Sequence, residues 1–236
     1  MNYKPIIGII GKVKPMDEDD LWHHIDECDE FRYHVIKNGG IAITLLPTEK
    51  TLTFNDDDIT DDTKLSDEEI NDLHRQIDLC DGFILQGGLV SCNYEIEMAR
   101  RIIHLNRPII GICAGFNNIL RALGTDVILD KTNSHDFYDA NYRHNITIEK
   151  NTLIYDIVQK NKYNVNSIHS MVAPKDLVAN YAKISSYSDD GLVESFEVTN
   201  KKFVVGIKWH PELMDDGFID KLFEKFILKC KERQYE

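Results

Sequence analysis

The chain is predicted to be an α/β protein built on a mostly parallel sheet, because strand-length apolar runs alternate with helix-period segments through its first half. Residues 6–10, 82–85 and 108–112 are continuous apolar runs, the pattern of strands covered on both faces. The segments between them are long enough for crossover helices, so helices are expected on both sides of the sheet. Beyond residue 125 the rhythm shortens into alternating segments, which predict a small antiparallel β extension.

Each element has a local reason. The run 6–10 is a buried strand, and 29–37 is a helix stopped by Asn38-Gly39-Gly40. A second strand at 41–46 is closed by Pro47. Ser66-Asp67-Glu68-Glu69 has the spacing of a capping box and opens the next helix. The strand 82–85 runs into Gln86-Gly87-Gly88, a helix follows over 94–105, and 108–112 is the next strand. In the second half strands are expected at 145–149, 165–168, 182–187, 192–198 and 203–207. The helix over 215–231 carries Phe218, Leu222, Phe226 and Ile227 as its apolar stripe. No repeat or flexible linker divides the halves, so 1–236 is expected to be one domain.

Composition narrows the function classes. A formal charge of −13 argues against a nucleic-acid ligand, since phosphate binding needs clustered Lys and Arg. No apolar stretch approaches the ~18 residues of a membrane span, and no leader-like segment opens the chain. No membrane partner and a cytoplasmic location are therefore expected. Acidic residues gather at 56–58, 61–62 and 67–69, a solvated loop leading into a helix, without the glycine of a calcium loop. Five scattered cysteines have no zinc-type spacing, and His23-His24 are adjacent rather than on one helix face. No metal and no cofactor are expected. Cys80 reads as packing beside a core strand, and Glu95 and Glu97 as capping or solvated charges at a helix start.

The chemistry centres on Cys113. The apolar strand before it, glycines at 111 and 115, and the helical pattern that follows together read as a nucleophile elbow, a sharp strand-to-helix turn that projects its apical side chain. A thiol over a helix N-terminus is biased toward thiolate. Such a thiol needs a base, and Val204-Val205-Gly206-Ile207-Lys208-Trp209 ends in His210-Pro211-Glu212. In extended backbone, residues two apart share a face, so Glu212 is expected to orient the His210 imidazole. Each piece alone has a blander reading: Cys113 as a small core residue, His210 as a structural histidine, Gly87-Gly88 as a turn. Their combination points to a nucleophilic thiol that attacks a carbonyl.

Gly111-Ile112-Cys113-Ala114-Gly115-Phe116-Asn117, Leu85-Gln86-Gly87-Gly88 and Gly206-Ile207-Lys208-Trp209-His210-Pro211-Glu212 resemble the motifs of the class I glutamine amidotransferase superfamily. Residues 5–11, Asn38-Gly39-Gly40, Val165-Asn166-Ser167-Ile168-His169 and Asp190-Gly191-Leu192-Val193-Glu194-Ser195 resemble its γ-glutamyl-γ-aminobutyrate hydrolase branch. The resemblance implies a flavodoxin-like fold and a Cys113–His210–Glu212 triad, with the backbone N–H groups of Gly88 and Ala114 as oxyanion donors. It further implies a γ-glutamyl thioester intermediate, and a substrate region including Gly87, Asn117, Asn166, Ser167 and His169. His169 reads equally as pocket lining or as a structural hydrogen-bonding group. The chain departs from the pattern at Asn117, where relatives carry glutamine, in the short loop after Gly88, and at Ser170 and Met171.

Three functions remain open on this reading. They are a stand-alone hydrolase of γ-glutamyl amides, a glutaminase module passing ammonia to a synthase partner, and a non-catalytic binding protein on the same fold. The expected ligand is a small γ-glutamyl amide or glutamine, and a homodimer is also left open.

Overall fold

A computed structural model describes residues 3–54, 64–132, 134–137, 139 and 141–235. The acidic positions at 56–58 and 61–62 lie outside this set.

Nine strands among the described residues form the central sheet: β1 (Ile6–Ile10), β2 (Ile41–Leu45), β3 (Gly82–Leu85), β4 (Ile109–Ile112), β5 (His144–Ile148), β6 (Lys162–Val165), β7 (Lys183–Ser188), β8 (Val193–Glu197) and β9 (Val204–Ile207). Their order is β2-β1-β3-β4-β9-β8-β7-β5-β6. The first five strands in that order pair in parallel, and the remaining four are joined by antiparallel pairing. The parallel half has the 2-1-3-4-5 arrangement of a flavodoxin-like sheet, with β9 in the fifth place. The extension seen in the sequence is thus a continuation of the same sheet, welded on where β8 pairs with β9.

Two apolar cores form because the parallel strands are buried on both faces. β3, β4 and β9 are buried along their full length. On one side lie α1 (Asp29–Lys37), α5 (Leu153–Val158) and α7 (Phe218–Lys231), whose Phe31, Ile154, Leu222 and Phe226 join Ile7, Ile9 and Ile110. On the other lie α2 (Asp67–Asp78), α3 (Asn93–His104) and α4 (Ala114–Leu123), whose Ile77, Met98, Ile119 and Leu120 join Ile10, Phe83 and Leu85. The capping box at α2 is formed: the Ser66 hydroxyl accepts from the Glu69 N–H, and the Glu69 carboxylate accepts from the Ser66 N–H. α6 (Lys175–Val178) is a single short turn.

Two boundaries differ from expectation by three residues, the others by one at most. The expected strand at 165–168 lies earlier, at Lys162–Val165, because those residues pair with His144–Thr147 of β5. Residues 166–169 instead leave the sheet as a buried loop whose polar side chains hold neighbouring segments. The last helix begins at Phe218 rather than 215, since Gly217 precedes it with φ +75°, a left-handed conformation that glycine adopts without strain. Among the described residues no helix is long and apolar enough to cross a membrane.

Candidate active site

Three neighbouring parallel strands end at one edge of the sheet, and each delivers one part of the site. Gly87 and Gly88 follow β3, Cys113 follows β4, and His210 lies just past β9. The Cys113 N–H donates to Ile207 O at 2.9 Å, which ties the end of β4 to β9.

Cys113 sits at φ +51°, ψ −101°, a conformation that a non-glycine residue adopts only when its surroundings enforce it. The enforcement comes from close packing of α4. A Cβ on Gly115 would fall on the Leu85 carbonyl, and one on Gly111 would fall on the Gly115 carbonyl. Both glycines therefore let the helix start directly over β3 and β4, with the thiol at the turn. Ala114 is the first residue of α4, where a helix leaves its N–H groups without partners from its own ladder.

The His210 imidazole faces the thiol, and its Nδ1–H donates to Glu212 Oε1 at 2.6 Å. Burial pushes that imidazole toward its neutral form, yet the Cys113 and Glu212 charges beside it prevail and hold its pKa well above the ordinary value. Burial likewise opposes ionisation of Cys113, but the His210 charge and hydrogen bond, aided by the Lys208 ammonium, bring its pKa below the usual thiol value. The pair is therefore biased toward thiolate and imidazolium. The other buried thiols behave oppositely: burial raises Cys80 to about 12 and pushes Cys92 well above its ordinary value.

Glu212 reaches His210 by a route different from the expected one. β9 ends at Ile207, and Pro211–Leu213 form one turn of 3-10 helix. The two side chains meet because the tight turn folds Glu212 back, not because they share the face of a strand. His210 is further fixed through its backbone: Asn166 Oδ1 accepts from the His210 N–H at 2.8 Å, and Asn166 Nδ2 donates to His210 O at 2.7 Å.

Gly87 stands against both His210 and Cys113. A Cβ there would lie 2.7 Å from His210 Cε1 and 3.4 Å from Cys113 Cβ. Gly88 has φ +151° and lies on the aliphatic stem of Lys12. Asn117, Asn166, Ser167 and His169 are all buried and are engaged within the protein. Asn117 Oδ1 accepts from Lys208 Nζ at 2.7 Å. Asn166 is committed to His210, the Ser167 hydroxyl donates to His135 O at 2.8 Å, and His169 Nδ1 lies 3.2 Å from Met171 O. Ile168 O is 3.8 Å from Cys113 Sγ, so this loop also lines the thiol.

Two residues at the site were not foreseen. Lys208 is fully buried, with its ammonium on Asn117 Oδ1 and its charge acting on Cys113, and its signal was a lysine inside the apolar run Val-Val-Gly-Ile-Lys-Trp. Gln86 spans three segments: its amide donates to Ile10 O and Asp26 O and accepts from the Cys28 N–H. Glu95, read as a capping or solvated charge, is instead buried and ion-paired with Lys12 Nζ at 2.8 Å. Helix position alone does not reveal a partner 83 residues away. Glu97 is only partly exposed and is paired with Arg100.

The Peptidase C26 family model matches residues 92–212, just over half of the chain. The Escherichia coli γ-glutamyl-γ-aminobutyrate hydrolase PuuD is 27% identical over 139 residues, covering 52% of this chain and 54% of that protein. The chain thus spans about half the length of that relative. A glutamine-hydrolysing GMP synthase subunit of Methanobrevibacter smithii is 32% identical over 163 residues, covering 64% of this chain and 74% of its own. Among solved structures, the glutaminase domain of Trypanosoma brucei CTPS superposes with a TM-score of 0.64 at 13% identity, over 98% of this chain and 94% of that one. That superposition supports the fold. The chain belongs to the Peptidase C26 family, within the class I glutamine amidotransferase-like proteins.

Proposed function

We propose that this protein is a cysteine hydrolase that cleaves the C–N bond of a γ-glutamyl amide through a γ-glutamyl thioester. The observation that carries the reading is a thiol held at a strained strand-to-helix turn, beside an imidazole whose Nδ1–H is bound by Glu212 at 2.6 Å. In this reading Cys113 Sγ attacks the γ-carbonyl, forming a C–S bond and placing the carbonyl electron pair on oxygen. The N–H groups of Gly88 and Ala114 receive that oxyanion. Collapse breaks the C–N bond as imidazolium His210 gives its Nε2 proton to the departing amine. Neutral His210 then takes a proton from water, whose oxygen attacks the thioester. The C–S bond breaks, and thiolate and the product carboxylate are released.

Glu212 would keep the imidazole in the productive tautomer and stabilise its charged form. Gly87 would leave room for the substrate beside the imidazole. A cavity of about 310 Å³ adjoins Gly87 and Gly88 and includes Lys14, Asp26 and Glu27 in its lining. Charges of both signs suit the zwitterionic head of a glutamyl group.

The purified chain, without any partner, is expected to release glutamate from γ-glutamyl amides, and Cys113→Ser is expected to abolish that release. Retained turnover by Cys113→Ser would refute the mechanism. The likeness to a component of GMP synthase favours a second reading, a glutaminase that supplies ammonia to a synthase. Turnover of glutamine alone, stimulated by an added synthase and absent with other γ-glutamyl amides, would select it.

A further inference from the structure

Beside the thiol site lies a polar cluster that the hydrolytic mechanism does not use. Glu194, on β8, is fully buried, and neither of its carboxylate oxygens has a hydrogen-bond partner among the described residues. Three imidazoles surround one of those oxygens: His135 Nδ1 at 3.5 Å, His169 Nε2 at 3.6 Å and His144 Nε2 at 3.8 Å from Glu194 Oε1. These separations are too long for hydrogen bonds. An unpartnered carboxylate is costly to bury, so the gap between these groups calls for a cation.

We infer that His135, His144 and Glu194 form a binding site for one divalent transition-metal ion of the Zn²⁺ class. Their three ligand atoms lie within 4.8 Å of one another. A tetrahedral Zn²⁺ about 2.0–2.1 Å from nitrogen and oxygen ligands sets neighbouring ligand atoms about 3.3 Å apart, so small side-chain shifts close the cluster around an ion. Two imidazoles with one carboxylate is a ligand set this ion takes, with a position left for water. His169 Nε2 is the nearest further donor.

The surrounding hydrogen bonds already select the required tautomers. His135 Nε2 lies 2.9 Å from Asp190 Oδ2, so it carries the proton and donates it, leaving the Nδ1 lone pair toward Glu194. That is the carboxylate–histidine arrangement that supports metal ligands. His169 Nδ1–H is directed at Met171 O, which leaves its Nε2 as the lone-pair atom. Ser167 Oγ lies between the His135 and His169 rings, and its proton goes to His135 O at 2.8 Å, its shortest contact. His144 Nε2 is buried and has no hydrogen-bond partner among the described residues. The ion would clamp β5, β8 and the segment around His135, against which the loop carrying Ile168 rests.

The test uses the full chain with Cys113→Ser, so that the thiol does not bind metal. Co²⁺ titration is expected to give the visible d–d absorption of a four- or five-coordinate ion, with about one equivalent bound, and Zn²⁺ should displace it and raise the thermal midpoint. His144→Ala and Glu194→Gln, each in that background, should weaken Zn²⁺ binding by about 100-fold or more, and a His104→Ala control should leave it unchanged. If either variant misfolds, Asp190→Asn serves in its place. It removes the charge that orients His135 from a half-exposed position and should weaken binding about 10-fold. A folded Cys113→Ser chain without the Co²⁺ spectrum, or Zn²⁺ affinity undiminished in every folded variant of the cluster, overturns the inference.

Discussion

A cysteine at φ +51° is held where its side chain meets an imidazole whose pKa its neighbours raise. The resulting ion pair has a pH signature. In the proposed mechanism the active form has Cys113 deprotonated and His210 protonated, so kcat/KM should rise through the thiol's lowered pKa and fall through the imidazole's raised one. The acid limb should therefore lie below the ordinary thiol value of ~8.5, and the alkaline limb above the ordinary imidazole value of ~6.5. Glu212→Gln removes one of the charges that raises His210. It should shift the alkaline limb toward acid and reduce kcat by about 10²-fold or more, read from the pH–rate profile of the pure variant. Gly87 provides a steric counterpart. Its replacement by alanine would place a methyl 2.7 Å from His210 Cε1, forcing the ring to move. Turnover should drop by about 10- to 100-fold, with circular dichroism and thermal midpoint near those of the parent, since the displaced group is a side chain. An unchanged kcat would show that the imidazole sits elsewhere in solution.

At the scale of elements, the sequence was most legible where one segment contains its own signals. β1, β3 and α1 fall where apolar runs and glycine stops place them, and the Ser66–Glu69 box caps α2. It was least legible where a distant partner decides. Val165-Asn166-Ser167-Ile168 was expected as a strand, yet its apolar residues stand only at its two ends, β5 selects 162–165, and Asn166 is drawn off to the His210 backbone. The Glu212 contact was foreseen, but as a strand relationship, because nothing in His-Pro-Glu distinguishes an extended tail from the 3-10 turn that forms. The elbow depends on α4 lying against β3. Gly115→Ala should expose that dependence, because the added Cβ meets a backbone carbonyl, which cannot turn aside as a side chain can. A loss of about 1–3 kcal/mol or more in denaturant unfolding is expected, together with lost turnover. A stable, active Gly115→Ala protein would mean that α4 stands farther from the sheet.

Across the whole molecule, the formal charge of −13 described the surface and concealed an ion pair buried between its layers. Lys12, just past β1, extends under Gly88 and places its ammonium on Glu95 of α3. Asn118 of α4 donates to the same carboxylate at 2.6 Å, and Ser91 adds its hydroxyl to Lys12 and Asn118. One cluster thus fixes the glycine loop, the helix after it and the helix that carries the elbow. Burial raises the pKa of Glu95, with Lys12 as the main influence in the other direction, so the carboxylate depends on its partner to stay charged. Lys12→Met keeps most of the stem beneath Gly88 but leaves Glu95 buried and unpaired. Unfolding free energy should fall by about 3–5 kcal/mol. Glu95→Leu added to Lys12→Met removes the stranded charge and should recover much of that loss, because an apolar pair of similar volume can replace a buried ion pair at little net cost. Denaturant unfolding of the two single variants and the double closes the cycle. A double variant as unstable as the sum of the singles would show that Lys12 and Glu95 are not coupled, and that the glycine loop is held by packing alone.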